Sequence, residues 1–362
     1  MTGAGTGGLG VAVVGAGGIA TAHLDAYAAT PGVVVRAVVD RHPERAQRLA
    51  ARYGVAAVHT SLTEALADPQ VGAVSICTDT ASHADLAVEA LEAGRHVLVE
   101  KPLSAALPDA LRVEAAARRS GRVVQVGLVR RFSGNVRTLR RFVDAGDLGE
   151  IYYARAANLR RAGHPGGWYG DPARSGGGPL VDIGTHVLDL CWYLMGRPEP
   201  VTVSGNTYRR LGERGHVDLA RYRAVDAGAP DQVEDLANAM VRFANGASLL
   251  LETSYSLHTP ADELRVSVHG DRGGAEVEPE LRIATERHGT LVNVEPQVGS
   301  LTFDLEDGFR TEIGNFVRAC RGEEEVLAPV RDGVQLTRMV AAVYASAAQG
   351  AEVTLAPLPP AA

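Results

Sequence analysis

Over the first third of the chain, short apolar runs alternate with segments of helical character. The runs are Leu9–Val14, Val33–Val39 and residues 55–58, 71–77, 96–99 and 123–128. Between them, residues 21–27, Pro43–Tyr53, Leu62–Leu66, 82–93 and Leu107–Ser120 read as helices, with Pro43 suited to a first helical turn. Strands that are apolar on both faces and separated by helices fit a parallel sheet covered on both sides. Residues 1–127 are therefore predicted to be an α/β domain with a doubly wound parallel sheet.

After residue 128 the pattern changes. Longer candidate strands appear at Ile151–Leu159 and at 201–208, 234–243, 247–257 and 264–269, with helices at 135–145, 186–195, 311–321 and 334–349. Asn245-Gly246 between two of these runs predicts a hairpin with a type I′ turn. Residues 128–362 are thus expected to form an α+β domain around a large, open, mainly antiparallel sheet, ending in a Pro/Ala-rich tail. The stretch 160–178, rich in Arg and Gly, is the one long irregular segment, and such loops often carry function.

Composition narrows the classes. Of 362 residues, 46% are hydrophobic and 22% charged, the balance of a globular chain. A net charge of -7 gives no general attraction for nucleic acid or an anionic membrane. No apolar run approaches a membrane span, and the start MTGAGTGGLG lacks a basic flank and an apolar core of a signal. Cys77, Cys191 and Cys320 lie far apart without metal-ligand spacing, which suits a reduced, cytoplasmic chain. Among 36 basic residues, Lys101 is the only lysine. In a chain that uses arginine as its general cation, a solitary ammonium points to a chemical requirement that guanidinium cannot meet.

Four motifs carry candidate chemistry. The first is Gly15-Ala-Gly17-Gly18-Ile19-Ala20, after a strand and before a helix. Gly15 permits a tight turn, Gly17 lets the backbone approach a pyrophosphate, and Ala20 allows close helix packing. Asp40 ends the next strand, where an acid contacts the adenosine ribose, and it favours NAD. Arg41 beside it could stack on adenine or accept a 2′-phosphate, so NADP stays open. The second motif is Thr78 to His83 at the end of another strand: Thr78 could reach ribose or phosphate, and His83 reads equally as a cofactor contact or a first-turn helix residue. The third is Glu100-Lys101-Pro102, where Lys101 could stabilise a developing alkoxide and Glu100 could pair with it or touch the nicotinamide ribose. In the fourth, GGGPLVDIGTHVLD, Asp182 and His186 share a helical face and Asp189 follows one turn later. A carboxylate beside an imidazole suits acid–base work, a buried structural histidine is the competing reading, and a metal reading fails for want of further ligands.

In this order the motifs resemble the glucose–fructose oxidoreductase/inositol dehydrogenase (Gfo/Idh/MocA) family, nearly end to end. The resemblance implies a Rossmann domain, a second domain whose sheet serves a homodimer or homotetramer, and a Lys–Asp–His set falling on Lys101, Asp182 and His186. It further implies a cis bond before Pro102 and an active-site role for Arg131. Ala20 in place of a third glycine, and Asp79 where many members carry proline or asparagine, are departures. The implied reaction is hydride transfer between NAD and a secondary alcohol of a sugar, cyclitol or related polyol, with Trp168 and Arg131 among the substrate contacts. An NAD-dependent glycosidase and a catalytically silent nucleotide-binding regulator are the alternatives on the same fold.

Overall fold

The six apolar runs of the N-terminal region pair as one parallel sheet. They are β1 (Leu9–Val14), β2 (Val33–Val39), β3 (Ala57–His59), β4 (Val71–Ile76), β5 (His96–Glu100) and β6 (Val124–Gly127), in spatial order β3-β2-β1-β4-β5-β6. The structure is a computed structural model and describes residues 8–212, 217 and 231–358; the expectations about residues 1–7 and the last residues of the tail lie outside these. Helices α1 (Gly18–Ala28), α2 (Pro43–Tyr53), α3 (Leu62–Leu66), α4 (Thr80–Glu92) and α5 (Leu107–Ser120) connect the strands. Val11, Val13, Val97 and Leu98 are wholly buried, as strands covered on both faces require. The strand order reverses between β1 and β4, so a crevice opens at their carboxyl ends, where this architecture takes its ligands.

The C-terminal region holds α6 (Gly134–Asp144), β7 (Ile151–Leu159), α7 (Pro172–Ser175) and α8 (Thr185–Leu194). Eight further strands follow: β8 (Pro200–Tyr208), β9 (Leu236–Phe243), β10 (Ser248–Ser254), β11 (Glu263–Gly270), β12 (Gly273–Glu278), β13 (Arg282–Arg287), β14 (Thr290–Val294) and β15 (Val353–Thr354). With β7 they form a nine-stranded sheet in the order β14-β13-β12-β11-β7-β10-β9-β8-β15. Its neighbours are antiparallel except for β7 and β10, which run parallel. Strands β12 to β14 escape the sequence pattern because β12 opens on two glycines and β13 and β14 carry mostly exposed or half-exposed residues.

The hairpin between β9 and β10 forms, but its turn is not type I′. That turn needs positive φ at two positions, and here Gly246 alone has it, at 85°. Gly246 N donates to Phe243 O at 3.0 Å and Phe243 N to Ala247 O at 2.9 Å. This is a three-residue loop, a type I turn closed by a left-handed glycine, so Gly246 rather than the Asn-Gly pair sets the geometry.

The chain divides into two compact units, but not at a single point. The first comprises residues 1–104, 108–129 and 305–334, the second 105–107, 130–304 and 335–362. This differs from the continuous domains 1–127 and 128–362 read from the sequence, because α9 (Leu305–Cys320) returns to the first unit. There Phe309 meets the His23 ring at 5.3 Å between centroids, and Arg321 donates to the Gly32 carbonyl at 2.8 Å. Val126 N of β6 donates to Ala328 O at 2.9 Å, extending the contact beyond the helix. The last helix, α10 (Val330–Gln349), starts in the first unit and continues into the second. No helix among the described residues is long and apolar enough to cross a membrane.

Candidate active site

In the first unit, the Gly15–Ala20 loop leaves β1 at the point where the strand order reverses. Gly15 has φ 95°, and a Cβ there would lie 2.4 Å from the Cys77 carbonyl, so only glycine fits. Gly17 and Gly18 differ: a Cβ on either would meet nothing within 4 Å. Their smallness therefore answers to no neighbour among the described residues, as expected of a cradle for a pyrophosphate. Ile19 is exposed at the same turn, while Ala20 is buried against the sheet. Helix α1 has Gly17 as its N-cap, no side-chain cap and no acidic residue in its first turn. Its leading amides and positive dipole end are thus suited to an anion.

Asp40 ties this loop to the next one. Its Oδ2 accepts from Ala16 N at 2.8 Å and its Oδ1 from His42 N at 2.8 Å. The carboxylate so fixed keeps further lone pairs for a ribose hydroxyl. Arg41 lies 3.7 Å from Asp79, an ion pair with Arg41 largely in solvent. On the neighbouring strand end, the Thr78 hydroxyl accepts from Ser82 Oγ at 2.7 Å. His83 is buried, its ring nitrogens 2.8 Å from the Pro102 carbonyl and 3.2 Å from the Thr78 carbonyl. It braces the β4–α4 turn against the segment after β5 rather than facing solvent, and burial lowers its pKa. The bond before Pro102 is cis. Glu100 is buried, with its Oε2 accepting from Lys101 N at 3.2 Å, and Lys101 is half-buried at the carboxyl end of β5.

In the second unit, Gly176-Gly177-Gly178 runs into a π-helical turn, Leu180–Gly184, which opens directly into α8. Such turns often mark functional positions. The glycines are dictated by crowding: a Cβ on Gly177 would lie 2.0 Å from the Tyr344 hydroxyl, and one on Gly178 2.5 Å from the Glu234 carbonyl. Glu234 anchors the loop, accepting from Gly178 N at 3.0 Å, Leu180 N at 3.2 Å and the Tyr344 hydroxyl at 2.9 Å. Asp182 sits in the π-turn and His186 in the first turn of α8, both half-buried.

The Tyr255 hydroxyl donates to Asp182 Oδ2 at 2.9 Å. Tyr255 is wholly buried; burial, then the Asp182 charge, push its pKa well above the ordinary phenol value, so it remains a donor. The His164 ring packs edge-on to Tyr255 at 5.0 Å, and its Nε2 lies 3.5 Å from Asp231. Trp168 stacks on Tyr169 at 4.0 Å. The irregular loop 160–178 is thereby brought to the side of Asp182 within this unit. Tyr255 and Glu234 were missed by sequence reasoning, since each falls in a segment read simply as strand, whereas the structure puts Glu234 just before β9 and Tyr255 just after β10.

Arg131, for which a substrate or cofactor contact is expected, is held inside the fold. It is fully buried, and its Nε donates to both Asp189 oxygens at 3.1 and 3.0 Å. Its guanidinium also lies over the Tyr193 ring, 4.7 Å from the centroid. Asp189, one turn beyond His186, serves this internal pair.

Comparison with known proteins divides the chain at a single point, as the sequence reading does. Residues 9–128 match the Gfo/Idh/MocA profile described as "Oxidoreductase family, NAD-binding Rossmann fold", and residues 140–355 its "C-terminal alpha/beta domain". The D-glucoside 3-dehydrogenase of Escherichia coli (strain K12) is 33% identical over 356 residues, covering 95% of this chain and 97% of its own. The myo-inositol 2-dehydrogenase of Thermotoga maritima is 27% identical over 335 residues, covering 89% and 91%. Among solved structures, levoglucosan dehydrogenase in complex with NADH and levoglucosan aligns with a TM-score of 0.83 at 25% identity, over 96% of this chain and 99% of that one.

Proposed function

The chain belongs to the Gfo/Idh/MocA family of oxidoreductases, and from that premise we propose that it moves hydride between NAD and a secondary hydroxyl of a sugar, glycoside or cyclitol. The observation that carries this reading is the position of Lys101. The only lysine in the chain ends β5, on the same carboxyl edge of the sheet as the Gly15 turn and Asp40.

NAD, when bound, supplies the hydride acceptor. Gly15 to Ala20 hold its pyrophosphate and Asp40 its adenosine ribose, with Thr78 as a further contact. His186 takes the proton of the substrate hydroxyl. The Lys101 ammonium hydrogen-bonds that oxygen as negative charge develops on it. Asp182, itself held by Tyr255, orients the imidazole and supports its cation. Acid–base assistance of this kind contributes about 10²–10⁴ in rate. Trp168 offers an aromatic face of the kind that pyranose rings pack against.

The reading extends to a cytoplasmic homodimer or homotetramer. Its support is the half-exposed face of the nine-stranded sheet, where Leu250 lies beside Met240 and Arg155 in register; light scattering on the purified protein tests it. The activity is tested by nicotinamide absorbance against glucosides, anhydrosugars and inositols, with NAD and NADP in parallel. NADH formation with a member of the panel is the expected result. Tight NAD binding with no turnover would make the chain a silent regulator, and release of free sugar without net NADH would make it a glycosidase.

A further inference from the structure

Behind the carboxyl edge of the first unit lies a buried chain of polar contacts that the proposed chemistry does not use. His23, on the inner face of α1, is wholly buried. Its Nδ1 is 2.8 Å from Ser75 Oγ on β4, and its Nε2 is 2.9 Å from Glu100 Oε1 on β5. The other Glu100 oxygen accepts from the Lys101 amide. Gly127 on β6 leaves room for that carboxyl: a Cβ there would stand 3.0 Å from it. Ser75, His23, Glu100 and the Lys101 backbone are therefore linked in series. We infer that His23 is a positioning residue for Lys101: it fixes the Glu100 carboxylate, which in turn fixes the backbone from which the ammonium is presented. Being inaccessible, His23 touches neither substrate nor cofactor, so any effect it has on turnover passes through Glu100. The inference rests on the role proposed for Lys101.

The surroundings give the link a charge. Ser75 and Cys77 face His23 from β4, Glu100 from β5, and Phe309 and Glu312 from α9, with Tyr27 one turn further along its own helix. Burial opposes the imidazolium, but Cys77 and Glu100 outweigh it and hold the His23 pKa well above its ordinary value. Burial, then the Glu100 charge, push the Glu312 carboxyl upward, toward its neutral form. With both ring nitrogens protonated, His23 donates to Ser75 and Glu100 at once. Loss of that proton at alkaline pH removes one donor and the attraction that pins Glu100.

The test uses the purified full chain, the best substrate of the panel, and three variants at His23. A Gln amide reaches about as far as Nε2 and can still donate to Glu100, an Asn amide reaches only as far as Nδ1, and Leu fills space alone. We expect His23→Leu and His23→Asn to lose about 10–100-fold in kcat, the scale on which small misplacements act. Their NAD Kd should stay near the wild-type value, His23→Gln should recover most of the rate, and the alkaline fall in kcat should move or vanish in His23→Leu. A folded His23→Leu with wild-type kcat and pH profile overturns the inference. If His23→Leu does not fold, equal kcat in the Gln and Asn variants overturns it instead. Lys101→Ala separates the two levels: wild-type turnover in that variant removes the role given to Lys101, whereas an inactive Lys101→Ala beside a fully active His23→Leu removes only the role given to His23.

Discussion

Arg131 and Asp189 form an ion pair from which solvent is excluded, their side chains being 0% and 1% exposed. The pair joins the short 3-10 turn Val129–Phe132 to the middle of α8, the helix that begins beside Asp182 and carries His186. Its geometry is the forked one in which guanidinium and carboxylate share several hydrogen bonds. A buried pair of this kind contributes little net stability when intact, since desolvation of both charges offsets their attraction, but it is costly to break.

Asp189→Asn should therefore destabilise the protein by about 3–5 kcal/mol, because Arg131 is left buried without its counter-charge. At about 2–4 °C per kcal/mol for a domain of this size, the loss is readily seen in thermal unfolding. The double variant Arg131→Met with Asp189→Leu should recover much of it. An Asp189→Asn protein that melts with the wild type would show that breaking the pair carries no such cost.

His186→Ala should depress turnover far more than coenzyme affinity. Loss of an acid–base group costs about 10²–10⁴ in kcat, and the residue belongs to a different unit from the Gly15–Ala20 loop and Asp40. Steady-state kinetics beside NAD titration would decide. A variant that fails to fold supports a structural histidine, and one with unaltered kcat leaves the proposed base without a role.

Asp40→Ser should weaken NAD about tenfold, equivalent to about 1.4 kcal/mol, and should narrow any preference over NADP. The carboxylate holds the amides of Ala16 and His42, and in the proposed role it would accept from the adenosine ribose and repel a 2′-phosphate. Calorimetric titration with both coenzymes checks this. Unchanged affinities for both would reduce Asp40 to a loop brace.

Glu312→Gln should stabilise the protein at about pH 8 and do little at about pH 4. Among the described residues neither Glu312 oxygen has a hydrogen-bond partner, and burial raises its pKa in the folded state. A folded pKa above the unfolded one means stability that is fully present below about pH 4.5 and is lost as pH rises through the folded value. Removing the ionisable group removes that loss. Melting temperatures across pH test it, and a variant whose melting curve shifts equally at both ends would place the effect in packing rather than protonation.

Much of the nucleotide-binding unit was legible because its signals are local: a glycine demanded by backbone conformation at position 15, an acid at the end of the next strand, and apolar runs of strand length. The second unit yielded its long strands for the same reason and hid β12 to β14, which open on glycines or carry mostly exposed and half-exposed residues. The motifs around Lys101 and Asp182 announced themselves by residue type and spacing. Their supports did not. His23, Glu234 and Tyr255 act through partners 77, 56 and 73 positions away, and a lone histidine on a helix face or a tyrosine at a strand end has no pattern to distinguish it. Arg131 reads from sequence as a site residue or an exposed helix start, and only its distant partner Asp189 shows how deeply its side chain is buried.

The return of residues 305–334 to the first unit has a consequence for biosynthesis. When the ribosome has made residue 129, all six strands of the parallel sheet have been translated, yet the helix that packs on His23 and the segment that pairs with Val126 have not. At about 5–20 residues per second, their arrival takes roughly another 10–40 s. Until then the face of α1 that bears His23 stays uncovered, so the nascent nucleotide-binding unit has a complete set of strands but an exposed helix face that only residues 305–334 can close.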